Sequence, residues 1–289
     1  MCCGSSCELS AEPVLDEDKT SARFLSSYHW TKERADFGGY SGLILSPDGA
    51  SFVMMSDRAH LIEGTIFRHS NRIIGLRSSE MAPLDIPDSL FAHPSNRDTE
   101  GLARDTDGRL FVSVESENLV LRRDLDGSWA ALPRFPAIDA LPSNRGLEAL
   151  AISTDDTIYA LPEVSRDLLA PFAVFRFRGD VGWDQPMSIS RSDGFVPVGA
   201  DVGPDGQLYI LERGFSGFGF SSRVRRFEIN ETENAAGETL LTTATRRHDN
   251  LEGLAVWRAE DGTIRLTMVS DDNFMSRQNT ESVAYALGT

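Results

Sequence analysis

Eight carboxylates recur at matching places in this 289-residue sequence: Asp57, Glu100, Glu115, Glu148, Glu163, Glu212, Glu252 and Asp271. Each lies either where an apolar run opens with Gly-Leu or Ala-Leu, or just after a second apolar run that follows a turn. Carboxylate oxygens without cysteine or clustered histidine suit hard cations, which points to Ca²⁺, with Mg²⁺ or Mn²⁺ as alternatives. Like charges gathered in partly dry surroundings repel one another and shift their pKa values, and a bound cation relieves this. A metal held there neutralises a substrate oxyanion and lowers the pKa of a bound water, while a carboxylate left free serves as general base. Glu100, Glu148 and Glu252 are the candidate ligands or base, and the other five acids surround them. Any one of these acids has an ordinary explanation as a turn cap or an arginine partner. Five positions in register weigh against that explanation for the set.

Two arginines follow such acids directly, in Asp57-Arg58 and Glu212-Arg213. Their planar forks suit a phosphate or carboxylate of a substrate, and they suit an internal salt bridge equally well. Asn144 and Asn250, like Asn96, stand just upstream of repeated acids and offer amide oxygens to a metal or substrate, although asparagine is also the default turn residue. Other patterns fail. Gly39-Tyr40-Ser41-Gly42 is not a nucleophile elbow, because it leads into a strand. The five histidines show no metal-ligand spacing, and no phosphate-binding glycine loop is present. The run Gly214 to Phe220 reads as a mobile loop or as a tight turn with exposed aromatics.

The elements that must position these acids are short strands. Five segments share one order: small or acidic residue, Gly-Leu-like step, apolar strand, Asp-Gly-type turn, second apolar strand, acid. Their turns lie at Asp48, Asp107, Asp155, Asp205 and Asp261, spaced by 59, 48, 50 and 56 residues. Asp-Gly between apolar runs is the strongest short hairpin signal, expected here as a tight turn with both central residues at positive φ. Further strand-like runs follow each hairpin at Thr65 to Phe67, Leu119 to Arg123, Ala173 to Phe177, Val224 to Ile229 and Val283 to Leu287. Four antiparallel strands every ~50 residues make a propeller blade, and no long helical periodicity appears. Ala22 to Trp30 reads as a strand that completes the last blade and closes the ring. The expectation is therefore an all-β, five-bladed β-propeller over residues 22–289, preceded by a loose tail over 1–21. A sixth, degenerate blade in Arg72 to His93 is the alternative. Within each hairpin the first strand starts and the second ends on one side, so all eight acids meet at one mouth of the channel.

Acids outnumber basic residues 44 to 28, a formal charge of −16, which excludes a general nucleic-acid binder. No window reaches the ~18 apolar residues of a membrane helix. The cysteines, Cys2, Cys3 and Cys7, read as part of a frayed or mis-started terminus, with a lipidated or metal-binding cluster as the alternative. The first ten residues lack a signal-peptide core.

At these residues the sequence resembles the bacterial phytase-like family labelled "esterase-like activity of phytase". The likeness covers roughly Gly38 to Leu287 and rests on Gly39-Tyr40-Ser41-Gly42-Leu43, Ser56-Asp57-Arg58, Asp98-Thr99-Glu100-Gly101-Leu102 and Asn144-Arg145-Gly146-Leu147-Glu148-Ala149-Leu150. Leu211-Glu212-Arg213-Gly214, Asn250-Leu251-Glu252-Gly253-Leu254 and Ser270-Asp271-Asp272-Asn273 complete the set. The resemblance implies an exported, periplasmic β-propeller that hydrolyses a small phosphate or carboxylic ester. The chain departs from it in three ways. It shows no export signal, which leaves a cytoplasmic location open. Val198 stands where other repeats carry Ser or Glu. Lys19 and Lys32 are its only lysines, so any phosphate grip falls to arginine. The functional expectation is a metal-dependent ester or phosphoester hydrolase. The alternatives are a calcium-stapled propeller that binds a partner or envelope polymer, and a lactonase.

Overall fold

The turns carry the repeat. In the computed structural model, which describes residues 19–32, 34, 36–93, 95–164, 169–230 and 232–288, each hairpin closes in the same way. Gly49 donates its N–H to Ser46 at 2.7 Å, Gly108 to Asp105 at 3.1 Å, Asp156 to Ser153 at 2.9 Å, Gly206 to Gly203 at 2.9 Å and Gly262 to Ala259 at 2.9 Å. Only that last residue takes positive φ, from 62° at Asp156 to 97° at Gly108. The expected tight turn with two positive-φ residues is thus replaced by a longer loop. The aspartate keeps ordinary backbone angles, and its side chain accepts the N–H two residues on, as Asp48 does from Ala50 at 3.0 Å and Asp261 from Thr263 at 3.0 Å.

Two strands lie before the first blade, β1 (Lys19–Thr20) and β2 (Ala22–His29). Blade 1 runs β3 (Tyr40–Leu45), β4 (Ser51–Ser56), β5 (His60–His69) and β6 (Arg72–Ser78), with β7 (Ala82–Pro83) added against β5. Blade 2 is β8 (Thr99–Arg104), β9 (Leu110–Val114), β10 (Leu119–Arg123) and β11 (Trp129–Ala131). Blade 3 is β12 (Leu147–Ile152), β13 (Ile158–Pro162), β14 (Phe172–Arg178) and β15 (Gly182–Ile189). Blade 4 is β16 (Val196–Val202), β17 (Leu208–Phe215), β18 (Phe220–Phe227) and β19 (Glu238–Thr242). Blade 5 is β20 (Asn250–Arg258), β21 (Ile264–Asp271) and β22 (Glu281–Leu287), completed by β2.

The ring is closed by β2, from Ala22 opposite Leu287 to His29 opposite Glu281. Five blades result, not six. The segment proposed as a sixth blade is the half-exposed outer strand β6, then β7 and a single 3₁₀ turn at Asp88–Leu90. One strand extends past the expected boundary at residue 22: β1 pairs with β19, so the chain start ties blade 4 as well as blade 5. Cys2, Cys3 and Cys7 lie outside the described residues. The run at 214–220 is the tight β17–β18 connection, with Phe215 opposite Phe220.

The core is divided among the seams between blades. Blades 1 and 2 pack through Met55, Leu102 and Val112, blades 2 and 3 through Phe111, Leu150 and Phe175, and blades 3 and 4 through Tyr159, Phe172 and Ile210. Tyr209, Leu254 and Tyr285 fill the seam between blades 4 and 5. The closing seam, blade 5 on blade 1, is the most aromatic: Trp30 stacks on Tyr40 at 6.1 Å and meets Phe37 and Phe52 edge-on. Every blade buries both faces, so its two inner strands read as near-continuous apolar runs. Among the described residues no helix is long and apolar enough to cross a membrane.

Candidate functional site at the channel mouth

Each inner hairpin slips register at one point, and at the same point in every blade. The irregularity falls between Tyr40 and Gly42, Thr99 and Leu102, Leu147 and Ala149, Pro197 and Gly199, and Leu251 and Gly253. A bulge re-aims the extra side chain out of the pleat. The residues so presented are Ser41, Glu100, Glu148, Val198 and Glu252. Glycine or alanine follows each of them because the inner strands crowd together here. A Cβ on Gly101 would lie 2.7 Å from the Glu148 carbonyl oxygen, and one on Gly199 only 2.1 Å from that of Glu252. On the second strand, the residue after the one paired just before the bulge supplies a matching side chain: Asp57, Glu115, Glu163, Arg213 and Asp271.

These side chains converge. One oxygen each from Glu115, Glu148 and Glu163 lies within 4.8 Å of the others, joining blade 2 to blade 3. Burial, reinforced by Glu148, Glu252, Asp98 and Glu115, holds Glu100 far above the usual carboxylate range. Burial and the charges of Glu252 and Glu115 do the same to Glu148, against the pull of Arg213. Glu252 rises to about 8, chiefly through burial, which outweighs the opposing Arg213. Glu115 rises to about 7 through burial and its hydrogen-bonding contact with Asp98. Asp57 reaches about 7 through burial and the charge of Asp271, and Asp271 reaches about 6, again through burial. The Asp57 Oδ1 atom is buried with no hydrogen-bond partner among the described residues.

The exposed Arg145 reaches Glu163 at 3.9 Å, and the cation set in among the acids is the more buried Arg213. It bonds Glu163 at 2.8 Å and Asn250 Oδ1 at 3.3 Å, and it also pairs with Glu252. Burial works against its charge, but Glu252, Glu148 and Glu163 more than offset this and hold its pKa above the ordinary arginine value. Asn250 Nδ2 donates to Glu252 Oε1 at 2.9 Å, which fixes that carboxylate from a second side.

The family model described as "Phytase-like: Esterase-like activity of phytase" matches residues 35–274. The chain belongs to this phytase-like family. No curated protein matches it. Among solved structures, virginiamycin B lyase from Staphylococcus aureus with quinupristin is 12% identical, covering 90% of this chain and 69% of that one, at a TM-score of 0.47. The PQQ-bound aldose sugar dehydrogenase from Streptomyces coelicolor is 11% identical, covering 90% and 98%, at 0.48. The calcium-binding protein regucalcin from Agrobacterium tumefaciens is 12% identical, covering 86% and 91%, at 0.44.

The phytase-like channel mouth gathers seven of the eight acids read from the sequence: Asp57, Glu100, Glu115, Glu148, Glu163, Glu252 and Asp271. Glu212 is the exception and a correction. It pairs with Pro197, one residue before the mouth position, and a one-residue step turns a strand side chain to the other face. Its carboxylate is wholly buried inside blade 4, where Arg223 Nε at 2.7 Å and Arg225 Nε at 2.8 Å both donate to Oε2. Arg213 occupies the mouth position that Glu212 was expected to fill. The turn spacing carried this signal, since Glu115 and Glu163 each follow their turn aspartate by eight residues, as Arg213 does, whereas Glu212 follows by seven.

Asn144 is exposed and makes no side-chain hydrogen bond among the described residues, so no bond ties it to the mouth acids. Asn250 is in the site. Arg58 lies over the Phe274 ring at 3.4 Å and, with Asp57, Asn96, Arg97 and Asp98, lines a cavity of about 550 Å³ beside the mouth. Asp98 was missed. It acts on Asp57, Glu100 and Glu115 from just before β8, outside the repeated pattern, where only its place one residue ahead of the strand hinted at a role.

Proposed function

We propose that the mouth of this phytase-like propeller binds a divalent cation, calcium above magnesium or manganese, and hydrolyses a small phosphate or carboxylic ester. The observation that carries the reading is the Glu115, Glu148 and Glu163 oxygen cluster, set within a group of acids that burial and mutual repulsion leave poorly suited to their charge. An all-oxygen donor set of this kind fits a hard cation, and the unpartnered buried Oδ1 of Asp57 fits the same purpose. Glu115, Glu148 and Glu163 would hold the ion, with Asp57 and Asp271 nearby. When bound, such an ion supplies charge neutralisation for a substrate oxyanion and a more acidic bound water.

The chain's own residues then divide the remaining work. Glu100 and Glu252 flank the cluster; burial raises the proton affinity of both, and that of Glu252, at about 8, suits proton transfer near neutral pH. Arg213 holds Glu252 in place through a charge-assisted bond and keeps a cationic donor beside the reacting group. Arg58, exposed and without an ion pair among the described residues, is placed to meet an anionic substrate at the cavity beside Asp57. The test is a turnover screen on phosphate esters, carboxylic esters and lactones with metal-stripped and calcium-loaded protein. Turnover that chelation abolishes and one ion restores supports the hydrolase, and the active substrate class separates esterase, phosphatase and lactonase. A second reading has its own support: the cluster spans blades 2 and 3, so an ion there staples two blades whether or not chemistry follows. Calcium-dependent melting with no turnover on any class selects that reading.

A further inference from the structure

We propose that the cleft between blades 4 and 5, beside the mouth, is a binding site for an organic anion with a flat apolar body: an aryl or acyl group bearing a phosphate or carboxylate. That this ligand is also the substrate rests on the hydrolase reading, whereas its binding does not. The cleft measures about 590 Å³ and opens on the same side as the carboxylates, at the β17–β18 turn, the approach to β20 and the loop after β21. Three arginines line it, Arg246, Arg247 and Arg277, on a protein whose formal charge is −16. Local cations on so acidic a surface favour anions there.

The acids that share the cleft are turned to structural use. Asp249 Oδ1 accepts from the Asn250 N–H at 2.9 Å and from Gln278 at 3.1 Å, and its Oδ2 accepts from the Asn279 N–H at 2.7 Å. Glu281 is held by His248 at 3.0 Å, by the Asp249 N–H at 3.2 Å and by Ser27. Two of the arginines are less committed. Arg247 lies over Phe24 at 4.6 Å, but Arg246 and Arg277 are exposed and make no ion pair among the described residues. Guanidinium forks match the paired oxygens of phosphate and carboxylate. The apolar half of the ligand is indicated by the β17–β18 turn, where Phe218 is 87% exposed on the cleft edge and Phe215 is 66% exposed next to it. Phe215 also lies 5.2 Å from Phe220, which lines the cleft, so the turn presents neighbouring aromatics rather than one lone exposed side chain. The cleft also reaches the chemistry: Asp249 lines it, and the next residue, Asn250, bonds Glu252.

The experiment is calorimetric titration of the full chain, in EDTA and in calcium, with 1-naphthylphosphonate, 1-naphthoate and inorganic phosphate. Neither naphthyl probe has a bond to hydrolyse, so binding is read apart from turnover. The wild-type chain should bind a naphthyl anion in EDTA, and comparison of the two probes identifies the preferred head group. The double variant Arg246→Ala with Arg277→Ala should weaken that binding by about tenfold or more, the scale expected for lost charge-assisted bonds, with an unchanged melting midpoint. Phe218→Ala should weaken the naphthyl probes and leave inorganic phosphate as it was, while Glu148→Gln should leave all three as they were. Absence of binding in the wild type, wild-type affinity in the double arginine variant, or loss of binding in Glu148→Gln would overturn the proposal. If turnover fails on every ester while these titrations behave as expected, the hydrolase reading falls and the anion cleft stands.

Discussion

In a metal-free buffer, this protein should become less stable as the pH rises from about 4.5 to about 8. Glu252 shows why. Its carboxyl is buried, and its pKa is carried from the ordinary 4.5 up to about 8. A carboxyl whose folded pKa exceeds its unfolded one binds its proton more tightly when folded. Its contribution is therefore complete below the unfolded pKa and is lost as the pH climbs through the folded one. At about 1.4 kcal/mol per pH unit, Glu252 alone is worth roughly 4–5 kcal/mol across that window. Glu115 and Asp57, near 7, and Asp271, near 6, act in the same direction. Their effects overlap with that of Glu252 because the groups repel one another, so the total is on the order of 5 kcal/mol rather than a multiple of it. That compares with the whole margin of a typical domain, about 5–15 kcal/mol. At roughly 2 °C per kcal/mol for a chain of this size, the midpoint should fall by about 10 °C. Calcium should reverse the trend, because it binds the deprotonated carboxylates and gains affinity as they ionise. The assay is a series of melting curves at half-unit pH steps, in EDTA and in millimolar calcium. A flat or rising midpoint in EDTA between pH 5 and 8 would refute the electrostatic account of the mouth.

Other outcomes follow from the same geometry. Glu148→Gln should abolish or strongly weaken calcium binding by calorimetry yet melt no lower than wild type in EDTA, whereas Glu238→Gln, which removes an exposed partner of Arg226, should leave calcium affinity intact and cost no more than about 1 kcal/mol. Glu212→Gln should lower stability by about 3–5 kcal/mol, because it leaves Arg223 and Arg225 buried without their counter-charge, and should not change calcium affinity. Deleting residues 1–18 should be harmless. Deleting 1–31 removes β2 and Trp30, opens the edge of β22 and forfeits about 1.5–3 kcal/mol for each large buried side chain lost; a monomer melting like the full chain would mean the ring does not depend on β2.

The hairpins and ring closure were legible because each rests on a local signal: a turn aspartate with its glycine, two apolar runs, and in Ala22 to Trp30 a strand with no partner of its own until the last blade. Seven mouth acids could be read because turn and strand lengths nearly repeat. Glu212 was misread because pairing, not adjacency, decides which face a side chain takes. Beside Arg213 the acid looked the better match, although the eight-residue count favoured the arginine. The bulge that aims Glu100, Glu148 and Glu252 leaves no compositional mark beyond the small residue after it. That residue is explained only by the neighbouring blade's carbonyl, a contact some 50 residues away in sequence. Asn144 carried a turn signal and no more.

Five near-equivalent blades give a channel with no preferred direction in its plane, and blade 4 supplies one. Blades 1, 2, 3 and 5 turn carboxylates to the mouth, whereas blade 4 turns Val198 and Arg213, with Arg246 on its outer flank. The mouth is thus acidic on four sides, and on the fifth it carries a cation paired with Glu163 and Glu252. A ligand that carries a charge at one end would meet an uneven field here, one that acts on its two ends differently. Orientation is then chosen on approach rather than after docking. A molecule alike at both ends gains nothing from this heading, while a lopsided one arrives already turned.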